Sequence, residues 1–214
     1  MTKPSLTASW IPLFPLGTTL FPGGIIALKI FEARYLDMMK RCLRENTPYG
    51  VISILADKAV DSDTSVAHFS DIGTLATLEE FDPIQPALYM TKSYGIQRFK
   101  VLNLRQESDG LWMGQIELIA ADPEIPLPKE HEKVASLLQE IMSIIKSEDL
   151  LGDGAFRMPA NPDDCGWVSN RLAELLPLPL AQKNHLLAQS NPRIRLDLIS
   201  EIIEEDGLHN IVMH

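Results

Sequence analysis

Hydrophobic spacing changes period once along these 214 residues, at ADPEIPLP, positions 121–128. Before that point apolar residues alternate in short runs broken by turn-forming residues. After it they recur every three or four positions. Alternation lines one face of a strand, and the longer period lines one face of a helix. Three prolines within eight positions suit neither, because each fixes φ and removes a backbone donor. The chain is therefore expected to be α+β, with a β-rich subdomain over 1–120, a Pro-rich linker over 121–128 and an α-helical subdomain over 129–214.

In the first part, residues 10–14 and 25–30 read as strands, with Ile26, Leu28 and Ile30 of GIIALKI on one face. EARYLDMMKRCLREN follows at helical spacing, presenting Tyr35, Leu36, Met39, Cys42 and Leu43, and ends before Pro48. Further strands are expected at YGVISIL, GTLATLEEF, ALYMTKSYG, IQRFKVLNL and LWMGQIELI, with breaks at Asp82-Pro83, Tyr94-Gly95 and Asp109-Gly110. The polar, aperiodic stretch 58–71 reads as a mobile loop. In the second part, Val134, Leu137, Leu138, Ile141, Ile144 and Ile145 share a helix face, and DDCGWVSNRLAELL and PLAQKNHLLAQS give two more helices. The last helix opens on Asn191 and Pro192, an N-cap and first-turn pairing, and closes at Gly207.

Candidate chemistry is sparse. Gly17 and Gly23-Gly24 are followed by Ile25 and Ile26, not by the Lys-Ser/Thr that reaches phosphates and magnesium. Gly152-Asp153-Gly154 has Arg157 at the third glycine position of a dinucleotide fingerprint. His131-Glu132 begins a zinc pattern, yet Ala135 stands where the second ligand belongs, so His131 is expected on a solvated helix face. Ser143 and Lys146 match the S-x-x-K spacing of a serine–lysine hydrolase, but no companion motif supplies an oxyanion hole. His68, His185, His209 and His214 lack ligand spacing, and Asp61, Asp63 and Asp71 lack the glycine and distal glutamate of a calcium loop. No catalytic residue, cofactor or metal is assigned.

The net charge of −10 repels phosphate backbones, and Lys40, Arg41 and Arg44, the densest basic cluster, sit beside Asp37 and Glu45. Nucleic acid is therefore not an expected partner. No apolar run approaches the ~20 residues of a bilayer span, and no uninterrupted signal segment opens the chain. Two isolated cysteines, Cys42 and Cys165, fit a reducing compartment, so a cytoplasmic location is expected.

The opening PLFPLGTTLFPGG (12–24) is apolar enough to suggest a membrane segment and glycine-rich enough at its end to suggest a phosphate loop, but too proline-laden for either. It continues into IIALKIFEARYLDMM, and the whole resembles the start of the Lon protease N-terminal, substrate-binding domain family. The matching residues are Pro12 to Leu16, Phe21 to Gly23, and Phe31, Glu32, Arg34 and Tyr35. YGVISI, Gly73-Thr74, GIQRFKV with Gly95, Arg98 and Phe99, and the helices WVSNRLAELLPLP and KNHLLAQSNPRIRLDLI extend the likeness over most of 10–205.

The resemblance implies a PUA-like β-barrel with one inserted helix, followed by a helical bundle. It also implies a non-enzymatic module that binds exposed polypeptide segments or a dedicated protein partner, as adaptor or holding factor. The ATPase and protease domains of a full Lon protease do not fit within this chain. On this reading the opening is a folding signature, with Phe14, Leu16, Phe21, Phe31 and Tyr35 inside and Glu32 paired to Arg34. The resemblance names no contact residues. Trp112 and Met113 are candidates, although a strand tryptophan in a small barrel is more often core. The alternatives are a small RNA-binding PUA-like module and a hydrolase using Ser143 and Lys146.

Overall fold

The computed structural model describes residues 9–55, 68–148 and 160–205. Asp61, Asp63, Gly152 to Gly154, Gly207, His209 and His214 lie outside them, as does most of the stretch expected as a loop. The chain forms two compact units, one within Met1–Ala121 plus Pro179–Leu187, the other within Asp122–Leu178 plus Ala188–His214.

Among the described residues the first unit holds seven strands in one mixed sheet: β1 (Ser9–Leu16), β2 (Ile25–Ile30), β3 (Tyr49–Leu55), β4 (His68–Phe69), β5 (Ile72–Gln85), β6 (Leu88–Gln106) and β7 (Trp112–Leu118). Pairings run β1-β7-β6-β5-β3, and β3 returns to β1 in parallel, with Leu13 opposite Gly50. The sheet is not a clean barrel. β4 extends from β3, and β2 branches from the first half of β6. Helix α1 (Ala33–Glu45) follows β2, and α4 (Leu180–Ala188), all but its last residue, belongs to this unit.

Alternation along the strands builds two cores on opposite faces. Leu13, Ile52, Leu75, Phe99 and Ile116 form one. Phe14, Tyr49, Val51 and Ala76 form the other, with Tyr35, Leu36, Met38, Met39 and Cys42 of α1. Ile26, Leu28 and Ile30 all reach this second core, as their spacing predicts. Tyr49 is fully buried and its hydroxyl donates to Ser93 Oγ at 2.9 Å. Burial pushes its phenol up to about 12.

Three expectations are corrected here. Leu43, 52% exposed, faces water, since the α1 stripe is narrower and uses Met38 instead. Asp82-Pro83 and Tyr94-Gly95 do not break the chain, and β5 and β6 run through them as one long hairpin. That hairpin turns beyond Gln85, where Ala87 takes φ 63°. Asp109-Gly110 is a turn, with Gly110 at φ 86°. Gly95 lies within β6 for a different reason: a Cβ there would sit 2.4 Å from the Phe21 carbonyl.

That close approach anchors the opening segment. Gly23 N–H donates to Gly95 O, and Gly95 N–H donates to Gly24 O, both at 2.8 Å. Thr74 Oγ1 donates to Leu20 O at 2.6 Å, and Gly23 takes φ 76°, which its missing Cβ permits. Phe21 is completely buried. The prolines and glycines thus set a corner whose backbone groups are tied to two long strands. Arg98, 2% exposed, reaches α4, its Nη1 donating to Leu187 O at 2.8 Å.

The second unit carries α2 (Glu132–Ser147), preceded by a 3-10 turn at Lys129–His131, then α3 (Cys165–Leu175) and α5 (Pro192–Glu205). Leu138, Val168, Leu172, Leu196, Ile199 and Ile203 are buried. Ile144, expected on the same face as Leu137, is 40% exposed near the end of α2. Asn191 caps α5 as its position predicts, Oδ1 accepting from Arg193 N–H at 3.0 Å. The proline-rich stretch is pinned: Cys165 N–H donates to Ile125 O, and Leu127 N–H to Asp163 O.

Candidate functional site

Serine and lysine of the S-x-x-K match do not make a site. Ser143 and Lys146 are both exposed on the last turns of α2, and no hydrogen bond joins them. His131 is a correction. It is 6% exposed, and its ring bridges Asp197 Oδ1 at 2.7 Å and Ser200 Oγ at 3.1 Å, both on α5.

The His–Asp–Ser order resembles a catalytic relay but does not function as one here. Ser200 Oγ donates to Leu196 O at 2.9 Å within its own helix, so its proton is committed to the backbone. His131 is a pin between the start of α2 and α5. Replacing it with alanine should cost about 1.5–3 kcal/mol, the range for hydrogen bonds that involve charged groups. Denaturant unfolding of His131→Ala, Asp197→Asn and the pair checks this, since a shared interaction makes the double variant less than additive.

Two cavities border the described strands of the first unit. One, about 530 Å³, is lined by Trp10, Ile11, Arg41, Cys42, Met113 and Ile116 among others. The Arg105 guanidinium stands 4.3 Å from the centre of the Trp10 ring, which is 38% exposed. The other, about 440 Å³, lies where the opening signature ends. It is lined by Phe14 to Leu16, by Leu28 to Ile30, by Phe31, Glu32, Arg34 and Tyr35 at the entry to α1, and by Ile54, Phe69 and Trp112.

This second groove has the attributes of a contact site. Phe31, expected inside, is 68% exposed, because the chain leaves β2 there and turns into α1 with its side chain outward. Ile54 is 43% exposed, and Trp112 stacks edge-on against Phe69 at 5.0 Å. Phe14 and Tyr35 stack at 4.2 Å and form the floor. Contiguous apolar surface of this kind marks binding sites more often than bare solubility would allow. Burial raises the Tyr35 phenol, against the opposing pull of Arg34, so it lines the groove uncharged.

Charges sit at the rim. Arg34 is held in place, Nη2 donating to Glu32 Oε2 at 2.6 Å, the expected pair, and Nη1 to Gly110 O at 2.9 Å. Lys29 is exposed, and among the described residues no carboxylate pairs with it. Trp112 borders this groove and Met113 the other, and both also pack against the cores of the sheet, whereas Phe31 is open to solvent. An aromatic residue following an alternating strand gives no signal separating core from rim.

Comparison with known proteins agrees with this architecture. The family described as the ATP-dependent protease La (LON) substrate-binding domain matches residues 10–205. A Lon N-terminal domain protein from Xanthomonas campestris, solved by crystallography, superposes with a TM-score of 0.71 at 30% identity, covering 90% of this chain and 98% of that one. The N-terminal domain of a Mycobacterium avium complex Lon protease superposes at 0.58 with 14% identity, a likeness of fold, covering 90% of this chain and 97% of that one. In sequence, the Lon protease of Anaeromyxobacter dehalogenans is 25% identical over 195 residues, 90% of this chain but 23% of the relative's length. The chain thus spans about a quarter of such relatives.

Proposed function

Since this chain belongs to the ATP-dependent protease La (LON) substrate-binding domain family, we propose that it binds exposed, apolar-rich segments of other polypeptides in the Phe31 groove. It does so as an adaptor or holding factor in the cytoplasm, without chemistry of its own and without nucleic acid. The observation that carries this is the exposure of Phe31 at the mouth of a groove already lined by Ile54, Phe69 and Trp112. The closed circuit of strand pairings supports a PUA-like barrel for the first unit, and the packing of α3 on α5 and α2 supports a helical bundle for the second. Two free, buried thiols support a reducing location.

The expected strength is modest. Burying two or three apolar side chains yields ~3–9 kcal/mol before the costs of ordering and association are subtracted. A single copy then binds weakly, and several copies on one target gain by multivalency.

The test uses labelled, reduced and carboxymethylated α-lactalbumin as an unfolded chain, titrated by fluorescence anisotropy. Phe31→Ala should weaken binding about tenfold or more, the worth of one apolar side chain, with melting temperature unchanged. Labelled RNA, titrated in parallel, should not bind. Unaltered affinity in Phe31→Ala, or strongly salt-sensitive RNA binding, would remove the proposal.

A further inference from the structure

Among the described residues β2 pairs with β6 alone, and its opposite edge carries no strand. An unpaired edge presents rows of backbone N–H and C=O groups that another extended chain can satisfy. β2 reads IIALKI, with no proline or glycine, so each residue keeps its donor and acceptor. Its last three residues line the Phe31 groove. A second open edge borders the same groove: β1 beyond Leu13, where pairing with β7 stops while pairing with β3 continues. That edge is only three residues long and Pro15 interrupts it, so it offers little to a guest.

We infer that the guest enters as an added strand on the free edge of β2, placing alternate apolar side chains in the groove and a carboxylate against Lys29. This rests on the reading that the groove takes polypeptide. Backbone pairing explains how one groove accepts many sequences, because the bonds are made by main chain and only alternate side chains are read. Six residues of β2 span about 20 Å, enough for a guest strand of similar length. Lys29 selects the chemistry of that guest, since its ammonium stands at the rim with no carboxylate partner among the described residues. A second copy of this chain is the poorer occupant. β2 contains no acidic residue, so edge-to-edge self-pairing gives Lys29 no counter-charge in any register.

The probe is an acetylated, amidated eight-residue peptide alternating leucine with glutamate and threonine, titrated by anisotropy against the full chain. Two further peptides carry backbone N-methyl groups at the odd or at the even positions. Successive N–H groups of a strand point to opposite sides, so only one series faces β2. One methylated series should lose about tenfold in affinity, as expected for lost hydrogen bonds, and the other should stay close to the parent. Lys29→Glu should weaken the glutamate peptide and favour a lysine-for-glutamate version. The alternate amides of Ile25–Ile30 that face away from β6 should gain protection from hydrogen exchange when the parent binds.

Equal binding of parent and both methylated peptides overturns strand addition while leaving the groove as a polypeptide site. Protection of the β2 amides without peptide, in a protein that sediments as a dimer, assigns the edge to a second copy and overturns it too. No binding of the parent peptide, together with none of unfolded α-lactalbumin, removes both readings.

Discussion

Replacing Phe99 with alanine is expected to destabilise the protein by about 3–5 kcal/mol, the range for deleting a buried aromatic side chain. Phe99 is completely buried, and its partner across on β5 is Gly73, which has no side chain. A Cβ added at Gly73 would meet Phe99 Cζ at 2.5 Å, and one at Gly50 would meet it at 2.8 Å. The two glycines and the ring are therefore one packing unit, large against absent. Removing the ring leaves a void that two glycines cannot collapse into. Denaturant unfolding of Phe99→Ala measures the loss.

A reciprocal experiment separates causes. At Gly50 the three nearest atoms are all side chain, from Leu13, Phe99 and Ile11, so Phe99→Leu should relieve part of the cost of Gly50→Ala. At Gly73 the Val51 carbonyl oxygen stands 2.5 Å away, and backbone does not yield as a side chain does. Gly73→Ala should stay costly whichever residue occupies position 99. Rescue of both glycine variants by Phe99→Leu would show that backbone crowding at Gly73 is unimportant.

Arg195→Ala should cost a comparable 3–5 kcal/mol, roughly what removing one partner of a buried ion pair costs. The Arg195 side chain is 1% exposed and Asp122 15%, with Nη1 donating to Asp122 Oδ2 at 2.7 Å. Nη1 also donates to Asn170 Oδ1 at 2.8 Å, and Nη2 to the Gln189 carbonyl. One guanidinium thus ties α5 to α3, to the proline-rich stretch and to the turn before α5. Its loss strands a carboxylate in poor solvent. Replacing both members, Asp122→Ala with Arg195→Met, should lose less than the sum of the single changes, because no unpaired charge is left. Additive losses would mean that Arg195 acts by packing alone. Thermal and denaturant unfolding of the three variants decide between them.

Much of this fold is legible in the sequence, and the illegible parts share a physical reason. Local period placed β2, β3, β7 and α1, and Asn191-Pro192 marked the start of α5, because those signals depend on neighbours in the chain. Gly95 misled. Its dipeptide looks like a turn, whereas the glycine answers to the Phe21 carbonyl, a contact across more than seventy residues that no local pattern encodes. His131 misled similarly, since its partners lie sixty-six and sixty-nine residues away on α5. The parallel pairing of β1 with β3 has no sequence signature of its own. Of the candidate groove, Trp112 was visible and Phe31 was not. Exposure of a large apolar residue is set by what the fold leaves uncovered, not by the residue's own preference.

Residues 179–187 rejoin the strand-bearing unit only after the chain has traversed Asp122–Leu178, and Ala188 then returns it to the other. The polypeptide passes between the units three times, so neither can be lifted out with a single cut. A fragment ending in the proline-rich stretch keeps the seven described strands, yet Arg98 loses the Leu187 carbonyl to which its Nη1 donates. Fusion, shuffling or circular permutation that treats the prolines as a seam would separate pieces that fold as one. In this chain the natural boundaries belong to the folded object and not to the linear text.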